Sequence, residues 1–165
     1  MDDRQSRFLD LMREHHGRWR AVARSYAGNG ADDLLQEILL QIWKSLESYR
    51  GDAAVSTWTY RIALNTAMKW KRTEKTRQTN LPTEHRPGCL VAPSSSDVSQ
   101  PSLVLERLMQ NLSPADRAIL LLSLDDISYE QMAEIVGISS GALRVRVHRI
   151  KQKLADSHLG EDDEI

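Results

Sequence analysis

Residues 31–72 read ADDLLQEILLQIWKSLESYRGDAAVSTWTYRIALNTAMKWKR, and this stretch decides the fold. In its first half, apolar side chains recur at helical spacing and fill one arc of a helix: Leu35, Ile38, Leu39, Ile42, Trp43 and Leu46. The opposite arc is polar except for Leu40. Asp33 and Gln36 lie at the start of the run with the spacing of a capping box. The first half therefore predicts an amphipathic helix with one outward-facing leucine.

The second half predicts another helix, which follows a turn at residues 49–52 and has Ser56 as its N-cap. Its buried arc is predicted to contain large side chains and one threonine: Trp58, Ile62, Thr66 and Trp70. The other face then carries Arg61, Asn65, Met68 and Arg72. The resulting hairpin presents two exposed surfaces of different chemistry, which this interpretation places back to back.

Composition favours an all-α protein, because aromatic residues make up 5% of the 165 residues and Leu, Ala, Arg and Glu are abundant. No apolar run approaches the roughly 18 residues of a membrane span, and the acidic start is not a signal peptide. A soluble, cytoplasmic protein is expected. The single cysteine, Cys89, excludes an internal disulfide and supplies too few thiols for a usual structural zinc site.

The net charge of -1 hides two basic segments. Residues 57–86 carry seven Lys or Arg against two Glu, and residues 139–153 carry five Lys or Arg and no acid. Acidic residues collect in residues 32–52 and 116–134 and in the tail 159–165. This pattern predicts nucleic-acid contacts at two places and a protein partner elsewhere.

Two small helical domains joined by a flexible linker are predicted, with domains at residues 1–72 and 101–158. The first helix is predicted over residues 4–26, with a stripe at three- and four-residue steps: Phe8, Leu11, Met12, His15, Trp19, Val22 and Tyr26. Pro, Ser and Gly interrupt the helical pattern in residues 73–100, which indicates the linker. Beyond it the pattern predicts four short helices, the first of which ends near Asn111. The next two open at Ser113 and at the capping box that begins at Ser128.

The last two helices have the layout of a helix-turn-helix, with Gly137 in the turn. The second of them has an apolar seam at Leu143, Val147, Ile150 and Leu154. Its outward side chains suit a major groove, because Arg pairs bidentately with guanine and an outward Val touches a thymine methyl. Basic residues at its flanks suit phosphates. DNA binding is the favoured function of this helix.

Three segments resemble the two characteristic regions of bacterial extracytoplasmic-function sigma factors, in the order and spacing of that family. They are DDLLQEILLQIW, SYRGDAAVSTWTYRIALNTA and LSPADRAILLLSLDDISYEQMAEIVGISSGALRVRVHRIKQKL. The resemblance implies a transcription initiation factor that binds the β and β′ subunits of core RNA polymerase and promoter DNA. It also implies an anti-sigma partner, often membrane-bound, and no cofactor, metal or catalytic residue.

The resemblance also implies three sets of binding residues. Core polymerase is bound by Asp33, Gln36, Glu37, Leu40 and Gln41. The −10 element is bound, and one of its bases flipped, by Ser48, Tyr49, Arg50, Gly51, Asp52, Ala53, Ala54, Trp58, Tyr60, Arg61, Asn65, Lys69 and Arg72. The −35 element is bound by Ser140, Gly141, Ala142, Arg144, Val145, Arg146, His148, Arg149 and Lys153.

Two other functions remain open at this point. A conventional helix-turn-helix regulator would bind duplex operators without polymerase, with the amino-terminal half as a sensor. A degenerate relative would only occupy polymerase or an inhibitor. An enzyme has little support, because the sequence lacks a nucleophile elbow, a phosphate-cradling glycine loop and a metal cluster.

Overall fold

The computed structural model describes residues 3–80, 109, 111–125 and 127–159. Its helices are α1 (Asp3–Ala27), α2 (Ala31–Ser45), α3 (Val55–Asn80), α4 (Pro114–Leu124), α5 (Tyr129–Val136) and α6 (Ser140–Leu159). Short 3-10 turns, Gly28–Gly30 and Leu46–Ser48, flank α2. These ranges contain no strand, so the all-α prediction is confirmed. No helix in them is both long and apolar enough to cross a bilayer.

Helices α1, α2 and α3 pack against one another as an amino-terminal bundle. Along α1 the buried stripe is nearly the one that helical spacing gives: Leu11, His15, Trp19, Val22, Ala23 and Tyr26. In α2 the fully buried residues are Leu34, Ile38 and Ile42, while Leu35, Leu39 and Trp43 are only partly buried. The apolar arc of α2 is therefore confirmed in direction, but the buried side is rotated toward Leu34, which the prediction did not include.

The predicted buried arc of α3 is wrong. Trp58, Ile62, Thr66 and Trp70 are only half-buried, and the fully buried apolar residues are Tyr60, Ala63, Leu64 and Ala67. In addition, α3 packs against α5 as well as against α1 and α2, so more than one side of it is covered.

The predicted caps of α2 and α3 are also wrong. The N-cap of α2 is Gly30, which has no capping side chain, because the helix continues directly from a 3-10 turn. Asp32 and Asp33 instead lie in the first turn, where the negative charge of a carboxylate interacts favourably with the helix dipole. Helix α3 begins at Val55, so Ser56 lies inside its first turn.

In the carboxy-terminal part, the predicted starts and stops are confirmed. The Ser113 hydroxyl accepts a hydrogen bond from the Asp116 amide at 3.1 Å, with Pro114 at the start of α4. Ser128 and Gln131 form a reciprocal capping box at α5, which ends at Gly137 with φ of 76°. The seam of α6 is also confirmed: Leu143, Val147 and Ile150 are buried and Leu154 is partly buried.

Some predictions fall on or near residues outside the described ranges. The helix predicted before Asn111 is described only at Met109, which is helical and buried. Helix α3 runs to Asn80, eight residues past the domain boundary predicted at Arg72. The rest of the predicted linker, with Cys89, and residues 160–165 of the acidic tail lie outside the described residues.

The two helical groups contact each other, α1 with α4 and α3 with α5, and polar side chains make part of this contact. The buried Arg117 guanidinium of α4 donates to the Ser25 carbonyl at 2.6 Å, and it also donates to the Met109 carbonyl at 2.9 Å. It lies over the Tyr26 ring, 5.3 Å from the centroid, and the Tyr26 hydroxyl donates to the Pro114 carbonyl. Arg117 therefore holds α4 both to its own domain and to α1.

Replacing Arg117 by Met should destabilise the protein by about 3 kcal/mol, because several buried carbonyls would lose their charged donor. Chemical denaturation of the full chain measures this free energy. Arg149→Met on exposed α6 is the matched control and should change the free energy of unfolding by less than about 0.5 kcal/mol. Equal effects of both substitutions would show that the buried contacts of Arg117 contribute nothing to stability.

His15 is a buried imidazole, 1% exposed, and neither of its ring nitrogens has a hydrogen-bond partner. Burial lowers its pKa; the carboxylate of Glu14 opposes this effect and the charge of Arg18 adds to it. Because the folded pKa lies below the unfolded value of about 6.5, the unfolded state takes up the proton first as pH falls. The folded state therefore loses stability progressively below about pH 6.5.

This loss should reach at most about 1.4 kcal/mol for each pH unit below 6.5. His15→Leu should remove that part of the pH dependence, while His148→Gln on the exposed face of α6 should leave it in place. Denaturant titrations of the three proteins between about pH 5 and 7.5 measure the effect. If wild type and His15→Leu gave parallel pH profiles, His15 would not titrate between the two states.

Candidate nucleic-acid interface

The polar side of α2 carries the five residues predicted to bind polymerase, which we call the α2 face: Asp33, Gln36, Glu37, Leu40 and Gln41. Asp33 and Gln36 are exposed, and Leu40 is 43% exposed despite being apolar. Glu37 and Gln41 are half-buried and are joined by a 2.7 Å hydrogen bond from the Gln41 amide to the Glu37 carboxylate. The α2 face is therefore an accessible surface with a single leucine among polar groups.

Residues 48–54 form a short loop between α2 and α3, and most of its side chains are exposed. The Tyr49 hydroxyl donates to the Ala53 carbonyl at 2.6 Å, which closes the loop. The Tyr49 ring lies 4.7 Å from the Trp58 ring at 36°. Gly51 has φ of 81°, in the left-handed region that favours glycine. The loop is thus ordered by its own contacts and sits beside an aromatic pair on which a base can stack.

Asn65, Lys69 and Arg72 are exposed along α3, and we call these three residues the α3 face. The structure does not group Tyr60 and Arg61 with them. Tyr60 is 2% exposed, and its hydroxyl donates to the Asp125 carboxylate at 2.7 Å. Burial, reinforced by this bond and by the charge of Asp125, raises the pKa of Tyr60 above its usual value. Arg61 Nη2 donates to the backbone carbonyl of Glu134 at 2.8 Å. Two of the residues predicted to bind the −10 element therefore contact the carboxy-terminal domain.

Part of the α2 face and part of the α3 face line the same groove, of about 330 Å³. Glu37 and Gln41 line one side, Asn65 and Lys69 line the other, and Trp70 also contributes. The prediction that the two surfaces lie back to back is therefore wrong, because α2 and α3 pack with these sides adjacent. Glu74 and Arg77 also line the groove. They were not among the predicted site residues, because α3 was expected to end at Arg72.

On α6, most of the residues predicted to bind the −35 element are exposed: Gly141, Ala142, Arg144, Val145, His148, Arg149 and Lys153. Ser140 and Arg146 are half-buried. A cleft of about 520 Å³ is lined by Ala142, Val145, Arg146, Arg149 and Lys153 from this set, and also by Asp116 and Ile150. Arg144 does not line this cleft. Its guanidinium lies over the Tyr129 ring instead, 5.9 Å from the ring centroid.

Arg146 is held by Asp116, which was predicted from the sequence only as an acidic residue at the start of a helix. Its Nε donates to the Asp116 carboxylate at 2.7 Å, and the Ser113 hydroxyl donates to the other oxygen of that carboxylate, also at 2.7 Å. Burial opposes ionisation of Asp116, but these two hydrogen bonds and the charges of Arg146 and Lys153 outweigh it and lower its pKa. Asp116 therefore orients Arg146 on α6. No local sequence signal links residues 30 positions apart.

Within the described ranges, no group of three or more His, Cys, Asp or Glu side chains could hold a metal ion. The arrangement instead offers two basic surfaces, on α3 and α6, and one mixed surface on α2. This chemistry suits binding of phosphates and bases.

Comparison with known proteins identifies the family. The model of sigma-70 region 2 matches residues 11–77, and the model of sigma-70 region 4 matches residues 102–154. The chain belongs to the sigma-70 family. The RNA polymerase sigma-E factor of Haemophilus influenzae, an extracytoplasmic-function member, is 34% identical over 146 residues, which are 81% of this chain and 77% of that protein. The chain is also 28% identical to the sigma-E factor of Escherichia coli K12, and this match covers 92% of the chain and 86% of the E. coli protein.

Solved structures that share the fold include two complexes. The sigma factor RpoE from Bartonella quintana, in complex with the anti-sigma factor NepR, superposes with a TM-score of 0.71. It is 21% identical, and the match covers 94% of this sigma factor and 96% of RpoE. CnrH, in complex with the cytosolic domain of CnrY, gives a TM-score of 0.69 at 20% identity, with 97% and 91% of the two chains covered.

Proposed function

We propose that this sigma factor joins core RNA polymerase, recognises the −10 and −35 elements of a promoter, and promotes melting at the −10 element. The observation that carries the proposal is the groove between α2 and α3, which is lined by polymerase-binding and DNA-binding candidates together. A protein that only occupied polymerase would have no use for a DNA-binding surface at this place.

In the proposed mechanism, the α2 face docks on the clamp helices of the β′ subunit, where Leu40 enters an apolar contact. The loop 48–54 and the Tyr49–Trp58 pair accept a base from the non-template strand. Base–aromatic stacking is worth about 1–3 kcal/mol, which offsets the few kcal/mol needed to unstack a base. Asn65 and the neighbouring cations then hold the opened strand.

The recognition helix α6 is proposed to lie in the major groove of the −35 element. Val145 is 53% exposed at the centre of its outward side, where it can contact a thymine methyl. Arg149 and Lys153 flank it as donors to bases and phosphates. Arg146 contacts the DNA backbone, and its hydrogen bond to Asp116 limits the orientations that its guanidinium can adopt.

We propose that the protein acts in the cytoplasm and that an anti-sigma factor regulates it. Two solved structures of the same fold support this partner. RpoE was determined in complex with the anti-sigma factor NepR, and CnrH in complex with the cytosolic domain of CnrY. A conventional duplex-binding regulator is not favoured, because the sigma-70 region 2 match covers residues 11–77.

Transcription with purified core RNA polymerase tests the function. Core polymerase with this protein should initiate at discrete sites on fragmented genomic DNA, and core polymerase alone should not. The starts should share two sequence elements upstream. Absence of new start sites, with active core and verified binding, would overturn the proposal.

A further inference from the structure

A basic side chain at the start of α1 holds the segment that leads into the loop 48–54. Arg4 Nη2 donates to the backbone carbonyl of Trp43, in the last turn of α2, at 2.7 Å. Its Nη1 donates to the carboxylate of Glu47, which lies in the 3-10 turn after α2. Arg4 therefore contacts the chain on both sides of the point where α2 ends. It belongs to none of the three predicted sets of binding residues.

The Trp43 ring is part of the same cluster. The Arg4 guanidinium lies over this ring, 4.4 Å from its centroid, and Phe8 packs edge-on against the ring at 5.2 Å and 81°. A planar guanidinium can stack on an aromatic ring while its outer nitrogens donate to two different acceptors, whereas the compact ammonium of a lysine cannot do both. The arrangement thus uses properties that are specific to arginine.

The hydrogen bond to the Trp43 carbonyl is the stronger of the two that Arg4 makes. The Glu47 side chain is 71% exposed and that of Arg4 25% exposed, so water and salt weaken their ion pair. The Trp43 carbonyl lies at the carboxy-terminal end of α2, where the helix dipole favours a cation. It already accepts the Leu46 amide, and Arg4 adds a charged donor. The effect of Arg4 should therefore survive loss of the Glu47 charge.

A short path of hydrogen bonds leads from Arg4 to the loop. The Leu46 amide donates to the Trp43 carbonyl, and the Tyr49 amide donates to the Leu46 carbonyl at 3.4 Å. The Tyr49 ring then packs against Trp58 of α3. The segment before the loop is thus held from α1 by Arg4 and from α3 by the aromatic pair.

We propose that Arg4 is a positioning residue for base capture. It fixes the end of α2 and thereby holds the loop 48–54 and the Tyr49–Trp58 pair in the arrangement that accepts an unstacked base, without touching DNA itself. A platform that is ordered beforehand binds more tightly, because no ordering cost is subtracted from the stacking energy. This inference rests on the proposed function of the loop, and it adds α1 to the elements that serve the −10 element.

Three substitutions in the full chain test the proposal. Arg4→Met removes both donors and keeps a side chain of similar length. Arg13→Met is the matched control, because Arg13 is also an α1 arginine with an ion pair, to Asp10 at 3.2 Å, but both of its side chains are exposed and far from the loop in sequence. Glu47→Gln removes only the ion pair and separates the two hydrogen bonds of Arg4.

The first measurement is limited digestion of the free proteins by trypsin. Arg50 is exposed in the loop, and the initial rate of cleavage after it reports how often the loop opens. This rate should rise about tenfold in Arg4→Met, as expected for loss of a hydrogen bond to a charged group. It should stay within about twofold in Glu47→Gln and in Arg13→Met. Cleavage after the exposed Arg77, at the far end of α3, should be equal in all proteins and serves as the reference for global unfolding.

The second measurement separates positioning from a general structural defect. Promoter opening by the holoenzyme, read from the permanganate reactivity of thymines on a promoter that it uses, should fall about fivefold in Arg4→Met, because the competent loop is less populated. Affinity for core polymerase should be unchanged, since the α2 face keeps its residues. A general loss of structure would instead lower core affinity and speed cleavage after Arg77.

Equal rates of cleavage after Arg50 in Arg4→Met and Arg13→Met would overturn the inference. Faster cleavage with unchanged promoter opening would overturn it too, because Arg4 would then order the loop without serving base capture. If the wild-type holoenzyme opened no promoter, the proposed function would fail, and the cleavage rates alone would decide whether Arg4 orders the loop.

Discussion

Leu40→Glu is expected to lower the affinity of the sigma factor for core RNA polymerase by about 30-fold or more. Leu40 is the one exposed apolar side chain among the polar residues of the α2 face, with 43% of its surface accessible. A carboxylate placed in a contact that excludes water loses its hydration without gaining a partner, at a cost of about 2–3 kcal/mol. Each 1.4 kcal/mol corresponds to about tenfold in the dissociation constant.

The measurement is competition between labelled wild type and unlabelled variant for core polymerase. Leu9→Glu is the matched control, because Leu9 is also an exposed leucine of the amino-terminal bundle, at 39%, but lies on α1. Its substitution should leave affinity within about twofold, as is usual for surface changes away from a contact. Equal losses in both variants would place the polymerase contact elsewhere or indicate general destabilisation.

Asn65→Ala is expected to reduce promoter opening about tenfold while affinity for core polymerase is unchanged. Asn65 is exposed in the groove opposite Glu37 and Gln41, and its amide can both donate to and accept from a base. Loss of a good base contact costs about 1–3 kcal/mol. Permanganate reactivity of thymines around the start site measures opening directly.

A template with a pre-opened −10 region should restore transcription by Asn65→Ala to a large degree, because the base no longer has to be captured from a duplex. Thr76→Ala is the control on the same helix; its hydroxyl donates to the Arg72 carbonyl within α3 and is otherwise exposed. A matching defect in Thr76→Ala, or no defect in Asn65→Ala, would remove Asn65 from the opening step.

The accuracy of the sequence predictions depended on the range of the interactions behind them. The starts of α4 and α5 were predicted correctly, because a cap is a contact between residues three positions apart. The buried stripe of α1 was also predicted well, because residues at three- and four-residue steps share one side of a helix. In α3 the large residues Trp58 and Trp70 misled the prediction, since packing there uses Ala63 and Ala67.

In the candidate site, too, features of a single helix were predicted from the sequence, and features that depend on packing between helices were not. Exposure of Leu40 and Val145 followed from the angular position of each residue on its own helix. The groove shared by the α2 and α3 faces did not follow, because it depends on how the two helices are rotated against each other. The partners of Arg146 and Arg61 were not predictable either, since Asp116 and Glu134 lie 30 and 73 positions away along the chain.

Periodicity, caps and motif order are local properties of the sequence, and they were enough to predict the helical class, the helix-turn-helix, the exposed Leu40 and the family. The tertiary structure decided which side of α3 is buried, that Asp116 holds Arg146, and that Tyr60 and Arg61 meet Asp125 and Glu134. These features arise when separate helices pack, and side-chain volume and charge at distant positions decide that packing together.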